Sequence, residues 1–226
     1  MARRVTLVGN GQKEEVLGTF SIVGRCPRTG ALGVCVSTAV PAVGSVVPHA
    51  EAGVGAIATQ GFTNIHYGID GLSLLMKGLS SQIALETMLR KDSERELRQV
   101  AIIDAQGRTA AFTGKETHSW RGHVIRENCI AAGNTVASGE VIEAMVEVFE
   151  DCVGWLAERL MKSLEAGQEA GGDRRGKASA ALLVVDKKLV IESRPSLDLR
   201  VDLHAEPVME LRTILERYKK WAGINR

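Results

Sequence analysis

The sequence predicts an α+β fold in which sheets pack face to face and helices cover the outside. Two observations carry this. Strand-like stretches follow one another directly, where a doubly wound fold would put a helix after each strand. Helix-like stretches come in pairs, and the order reads three strands, two helices, strands, two helices, strands, one helix. A third observation sets the domain count. The 226 residues are 45% hydrophobic and 24% charged, with no fixed-period repeat, low-complexity segment or interior linker. That fits one domain with a substantial core.

The elements follow in chain order. Val5-Thr6-Leu7-Val8 before the Asn10-Gly11 turn signal reads either as an edge strand or as part of a removable propeptide. Thr19 to Cys26 is strand-prone, Pro27-Arg28-Thr29-Gly30 is a turn, and Ala31 to Val40 is β-branched and small. Neither stretch alternates with charge, so the hairpin is buried on both faces. Pro41 to Glu51, with two Pro and His49, reads as a loop, and Ala52 to Gly61 as a third strand rich in small residues. Gly68 opens a helix with Leu72, Leu75, Met76 and Leu79 at helical spacing, and Gly78 ends it. Ser80-Ser81 caps a second helix with an apolar face of Ile83, Leu85, Met88 and Leu89. Arg98 to Asp104 and Thr109 to Gly114 are strands about the turn Ala105-Gln106-Gly107-Arg108. Trp120 to Ala132 supplies one or two strands, ending in Ala131-Ala132-Gly133-Asn134. Ser138 caps a helix over Val141 to Phe149. Another runs from Trp155 to Ala170 and stops at Gly171-Gly172-Asp173-Arg174-Arg175-Gly176. Ala178 to Val185 and Leu189 to Ser193 form a hairpin that Leu197 to Val201 can extend, and Pro207 to Trp221 is the last helix.

Composition excludes several functions. A net charge of +1 gives no basic balance for nucleic acid. The longest uncharged run, Thr29 to Ala50, holds three Gly and two Pro, so no membrane span is expected. Asn10, Gln12, Lys13, Glu14 and Glu15 break any signal-peptide core after Arg3-Arg4. Cys26, Cys35, Cys129 and Cys152 form no C-x-x-C pair, and His49, His66, His118, His123 and His204 share no metal-ligand motif. Reduced thiols, a cytoplasmic location and the absence of metal or organic cofactor are the expectations.

Six stretches then carry a resemblance. They are Thr19-Phe20-Ser21-Ile22-Val23, Ala50 to Gln60, Arg98-Gln99-Val100, Ala111-Phe112-Thr113-Gly114, Gly171 to Gly176, and Asp198-Leu199-Arg200-Val201-Asp202. The chain is similar to the DUF1028 family of bacterial proteins, and its element order resembles the αββα sandwich of N-terminal nucleophile (Ntn) hydrolases. The resemblance implies a four-layer αββα sandwich of two mainly antiparallel sheets. Family members tend to begin at the Thr-Phe-Ser stretch. Residues 1–18 are therefore an N-terminal extension or propeptide, and residues 19–226 the domain.

An Ntn hydrolase attacks an amide carbonyl with the hydroxyl of its first residue, whose own α-amine takes the proton. Thr19 qualifies by position, at a strand start after the side-chain-free Gly18; without the resemblance it is an ordinary strand Thr. Ser21 shares its strand face and can stand in. The resemblance puts Gln60-Gly61 and Gly133-Asn134 opposite the start of the first strand, with Asn134 or the Gly61 N–H as oxyanion donor. It also brings the Asp173 turn near the nucleophile, where Asp173 can orient it and Arg174 or Arg175 can bind a substrate carboxylate. Ser37 stands where proteasome-type members carry a supporting acid. Their basic residue is missing, with His49 or Glu51 nearby instead. The implied activity is cleavage of a C–N amide bond in a small molecule or peptide fragment, with a homodimer as the possible assembly. The alternative is a binding or scaffold protein that keeps the fold without the chemistry.

Overall fold

The computed structural model describes residues 18–187 and 196–224. The strands are β1 (Thr19–Arg25), β2 (Leu32–Thr38), β3 (Pro48–Glu51), β4 (Gly55–Gly61), β5 (Arg98–Asp104), β6 (Thr109–Thr113), β7 (Arg121–Arg126), β8 (Cys129–Asn134), β9 (Ser179–Val185) and β10 (Leu197–Val201). The helices are α1 (His66–Met76), α2 (Ser81–Lys91), α3 (Glu140–Asp151), α4 (Leu156–Glu169) and α5 (Pro207–Trp221). One sheet has the order β10-β9-β2-β1-β8-β7, the other β3-β4-β5-β6, and all pairings are antiparallel. The sheets face each other. Helices α1 and α2 cover the smaller sheet, and α3, α4 and α5 cover the larger. This is the expected αββα sandwich.

Why β1 lacks alternation is visible in its two faces. Phe20 and Ile22 enter a core shared with Met145, Phe149, Leu160 and Leu164 of α3 and α4. Val23 enters the core between the sheets with Val34, Val36, Ala56, Ala58, Ala101 and Ile103. Both faces are buried, so the strand shows no alternation with charge. The small residues Ala56, Ala58 and Ala101 line the inter-sheet side, and Ile57, Val100 and Ile102 turn to α1 and α2.

Some expectations need correction. The stretch read as a loop from Pro41 to Glu51 ends in β3, which pairs with β4 from Pro48↔Ala58 to Glu51↔Gly55. Pro48 fits there because β3 is an edge strand and Pro is its first residue, so its missing N–H costs no ladder bond. The strand after it begins at Gly55, because Gly53, with φ 75°, belongs to the preceding turn. Helix α1 starts at His66, two residues early. In α2, Ser80 Oγ does accept the Ile83 N–H, but Ile83 itself is 53% exposed, and Ala84, Leu85 and Met88 are the buried face. Trp120 to Ala132 resolves into two strands. Ser138 Oγ accepts the Glu140 N–H at 3.2 Å at the start of α3. Strand β9 lies between β10 and β2 and pairs with both; the stretch Leu189 to Ser193, like the patch Val5 to Val8, lies outside the described residues. No helix among the described residues is long and apolar enough to cross a membrane.

Candidate functional site

Five strands bring polar side chains to one end of the layer between the sheets. Thr19 opens β1 and pairs with Asn134 at the end of β8. Side chains alternate along a strand, so Thr19, Ser21 and Val23 share the face turned to the second sheet. Thr38 ends β2, with its Oγ1 3.5 Å from Thr19 Oγ1. Across the layer stand Gln60 of β4 and Gln99 of β5, paired in register.

The carbonyl oxygen of Gly18 is the focus of this cluster. Thr19 Oγ1 donates to it at 2.6 Å, Arg175 Nη2 donates at 2.6 Å, and Thr38 Oγ1 donates as well. This oxygen belongs to the peptide bond that joins Gly18 to Thr19. Three donors, one of them a guanidinium, thus converge on one acyl oxygen in a water-poor place, where such bonds are strongest.

Arg175 is held by Asp173. Its Nη2 lies 2.6 Å from Asp173 Oδ2, and its Nε and backbone N–H donate to Asp173 Oδ1 at 3.0 Å each. Asp173 Oδ2 also accepts the Ala39 N–H at 3.0 Å, which ties the turn after α4 to the end of β2. A bridge between Val136 and Asp173 fixes the same turn to the chain leaving β8. Between the end of β8 and Val136 lies Thr135, with φ 57°. A β-branched residue in the left-handed region costs of order 1–3 kcal/mol and persists only where its surroundings hold it. Here its N–H donates to His118 O and its carbonyl accepts the Arg174 N–H, both at 3.0 Å.

Behind Thr19 runs a network of amides. Ser21 Oγ donates to Gln60 Oε1 at 2.7 Å. Gln60 Nε2 donates to Gln99 Oε1 at 2.7 Å, with Ala132 O at 3.2 Å and Thr19 O at 3.4 Å. Gln99 Nε2 meets Gly133 O, Gly122 O and Thr113 Oγ1, each at 2.9 Å. Asn134 Nδ2 donates to Gln99 Oε1 at 2.9 Å, and the buried Asn134 Oδ1 has no hydrogen-bond partner among the described residues. At the edge, Thr113 Oγ1 and His123 Nδ1 are 2.9 Å apart, and burial holds the His123 ring below its ordinary pKa.

Of the residues singled out from sequence, the fold gathers Thr19, Ser21, Gln60, Asn134, Asp173 and Arg175. Ser37 pairs with Phe20 and shares its face, toward the helices; its Oγ donates to Ser179 O at 3.1 Å. His49 pairs with Ile57 on the outer face of the smaller sheet, against Gly68 of α1, with Nε2 3.2 Å from Val46 O. Gly61 ends β4 beside Leu97 and Thr117. Arg174 has an exposed side chain. Three participants escaped the sequence reading. Thr38 is one register step from Ser37. Gln99 was readable as a polar residue inside an apolar strand, which is uncommon in a buried position. Thr135 carries no sequence signal of its left-handed backbone. The thiols lie elsewhere: burial pushes Cys35 up and Cys129 up to about 12. Among the described residues, no group of three or more His, Cys, Asp or Glu is placed to hold a metal ion.

Comparison with known proteins shows what the chain as a whole is similar to. No curated protein matches the chain. Protein SPO2555 of Silicibacter pomeroyi, a DUF1028 protein known from its crystal structure, is 33% identical, with a TM-score of 0.83 over 90% of this chain and 86% of its own. Anbu (ancestral beta-subunit) from Yersinia bercovieri aligns over 92% of this chain and 97% of its own, at 8% identity and a TM-score of 0.41, too loose a likeness to argue from. The model of the "Family of unknown function (DUF1028)" matches residues 19–211. That match begins at Thr19 itself, spans both sheets and runs into α5, and the chain belongs to the DUF1028 family.

Proposed function

We propose that the protein is an amidohydrolase of the N-terminal nucleophile type, with Thr19 as nucleophile, activated by cleavage of its own Gly18–Thr19 bond. The observation that supports this reading most is the convergence of Thr38 Oγ1 and Arg175 Nη2 on the Gly18 oxygen, beside the Thr19 hydroxyl. Donors aimed at the oxygen that gains negative charge lower the barrier to acyl transfer.

In the first stage, Thr19 Oγ1 adds to the Gly18 carbonyl carbon, and the carbonyl electron pair moves onto the Gly18 oxygen. The C–N bond to Thr19 then breaks, and the proton lost from Oγ1 ends on the Thr19 nitrogen. The product is a Gly18–Thr19 ester with a free α-amine. Water adds to the ester carbon, the C–Oγ1 bond breaks, Gly18 leaves as a carboxylate, and Oγ1 regains a proton. In the second stage, the α-amine, with a pKa near 7.7–8.0, accepts the Oγ1 proton as the hydroxyl attacks a substrate amide, and returns it to the leaving amine; water then adds to the Thr19 ester, the C–Oγ1 bond breaks, and the substrate acid leaves as Oγ1 regains a proton. Asp173 holds the guanidinium in line, and the amide network positions β1. A small amide or peptide fragment is the substrate class.

Intact mass and N-terminal sequencing of the purified protein test the reading. A chain beginning at Thr19, and a Thr19→Ala variant that stays whole, are the expected results. A wild-type chain that remains joined at Gly18–Thr19 leaves the nucleophile without its amine and favours a binding protein on the same fold.

A further inference from the structure

We infer that Thr135 and Arg175 form a wall that restricts the acyl group passed to Thr19 to one with an unsubstituted α-carbon, a glycyl group. The inference rests on the reading that Thr19 attacks the Gly18 carbonyl, and it adds what that attack can accept. A Cβ built on Gly18 would lie 2.5 Å from Thr135 Cβ, 2.9 Å from Thr135 Oγ1 and 3.0 Å from Arg175 Nη2. Two of these are shorter than non-bonded carbon contacts allow, so the side chain or the wall must shift.

The wall cannot easily shift. Thr135 is 2% exposed, and both of its backbone polar groups are engaged, with His118 O and the Arg174 N–H. Its Cβ is fixed by the backbone, so no rotamer change withdraws it. Arg175 is clamped to Asp173 through Nε and Nη2. Moving the acyl α-carbon away from the wall would instead drag the Gly18 oxygen off Arg175 and Thr38. A side chain on the acyl residue is therefore set against the same contacts that stabilise the oxyanion, and excluding it selects the glycyl group. The left-handed backbone at Thr135 is what aims its Cβ at Gly18, which gives that strained residue a function.

The bond changes are those of the first stage above: the glycyl C–N bond breaks, the C–Oγ1 bond forms, and water later releases a glycyl carboxylate. The test follows precursor disappearance by intact mass for the full chain and three variants. Gly18→Ala should slow cleavage about 10- to 100-fold, the range expected when an extra carbon is forced into a packed site. Gly18→Val should slow it further. Gly18→Ala combined with Thr135→Gly should recover most of the rate, because glycine removes the obstructing Cβ and accepts the left-handed backbone. Circular dichroism checks that each variant is folded. If Gly18→Ala is cleaved as fast as wild type, the wall is refuted and the Thr19 reading stands. A folded double variant that stays slow also refutes it. Should the double variant be unfolded, the Gly–Ala–Val series decides, since equal rates across it exclude a steric wall. A wild-type chain that is never cut overturns both readings.

Discussion

At the residue scale, the Gly18 oxygen accepts bonds from two hydroxyls and one guanidinium, and the three are not equivalent. In the proposed self-cleavage the Thr19 hydroxyl is consumed in the attack, which leaves Thr38 and Arg175 to meet the developing charge. Removing one such donor typically costs about 100- to 1,000-fold in rate. Thr38→Val keeps shape and burial and deletes only the donor. Self-cleavage should slow by about 100-fold while Arg175 still holds the oxygen, read as precursor half-life by mass; an unchanged half-life would remove Thr38 from the mechanism. Sequence alone could not select Thr38. Ser37 and Thr38 are adjacent hydroxyl residues at the end of a doubly buried strand, with no polar alternation to say which faces the other sheet. The pairing Phe20↔Ser37 decides it, and a one-residue change of register would exchange them. Thr19 and Ser21 were legible as a pair because they share one strand. Asp173 and Arg175 were legible only as a turn, since what they hold lies on β1 and β2.

At the element scale, α5 is pinned to α4 by Arg212. Its Nε and Nη2 donate to the two carboxylate oxygens of Glu165 at 2.7 Å each, and its Nη1 reaches Glu158 and Glu216. The guanidinium side chain is 21% exposed, so the pair is neither a solvated surface contact nor a fully desolvated one. Arg212→Met retains the aliphatic stem but takes from Glu165 its bidentate cation and leaves Glu158 with Lys219 alone. A loss of about 1–3 kcal/mol is expected, which corresponds to a Tm lowered by about 2–4 °C per kcal/mol in a domain of this size. Calorimetry that finds no change would make the cluster ornamental to stability. The helix itself was readable to its ends, because Pro207 at the first turn and a strong apolar stripe mark it. Its docking partner was not, since β9 and β10 separate α4 from α5 in sequence and only the fold brings Arg212 to Glu158 and Glu165. Strand β3 was hidden for a different reason: Pro48 and His49 look like a loop until the edge position of the strand is known.

At the scale of the whole molecule, the sandwich keeps two histidines in poorly hydrated positions, His49 on the outer face of the smaller sheet and His123 on β7, the edge strand of the larger. Burial lowers the pKa of His49, with a lesser opposing effect from the Val46 carbonyl, and burial lowers that of His123. Both rings therefore bind a proton less readily when folded than the ordinary 6.5 of an unfolded chain. The unfolded state then holds more protons below that value, so stability rises with pH through this region. The contribution is complete above pH 6.5 and is lost as pH falls from there through the folded pKa values. Carboxylates act in a separate window. Asp92, despite its partial burial, is held below its usual 3.8 by hydrogen bonds from Arg98 and the Glu94 N–H, so its loss begins only at stronger acid. Thermal melts at about pH 7.5 and about pH 5.5 thus isolate the histidines. Tm should fall on acidification, and the fall should shrink in His123→Gln, which can keep a polar partner for Thr113, and again when His49→Gln is added. A Tm that holds or rises at the lower pH would mean that the rings are solvated and that the edge of the amide network behind Thr19 is open to water. In that case the low-dielectric setting on which the Gly18 oxygen's hydrogen bonds depend would be lost as well.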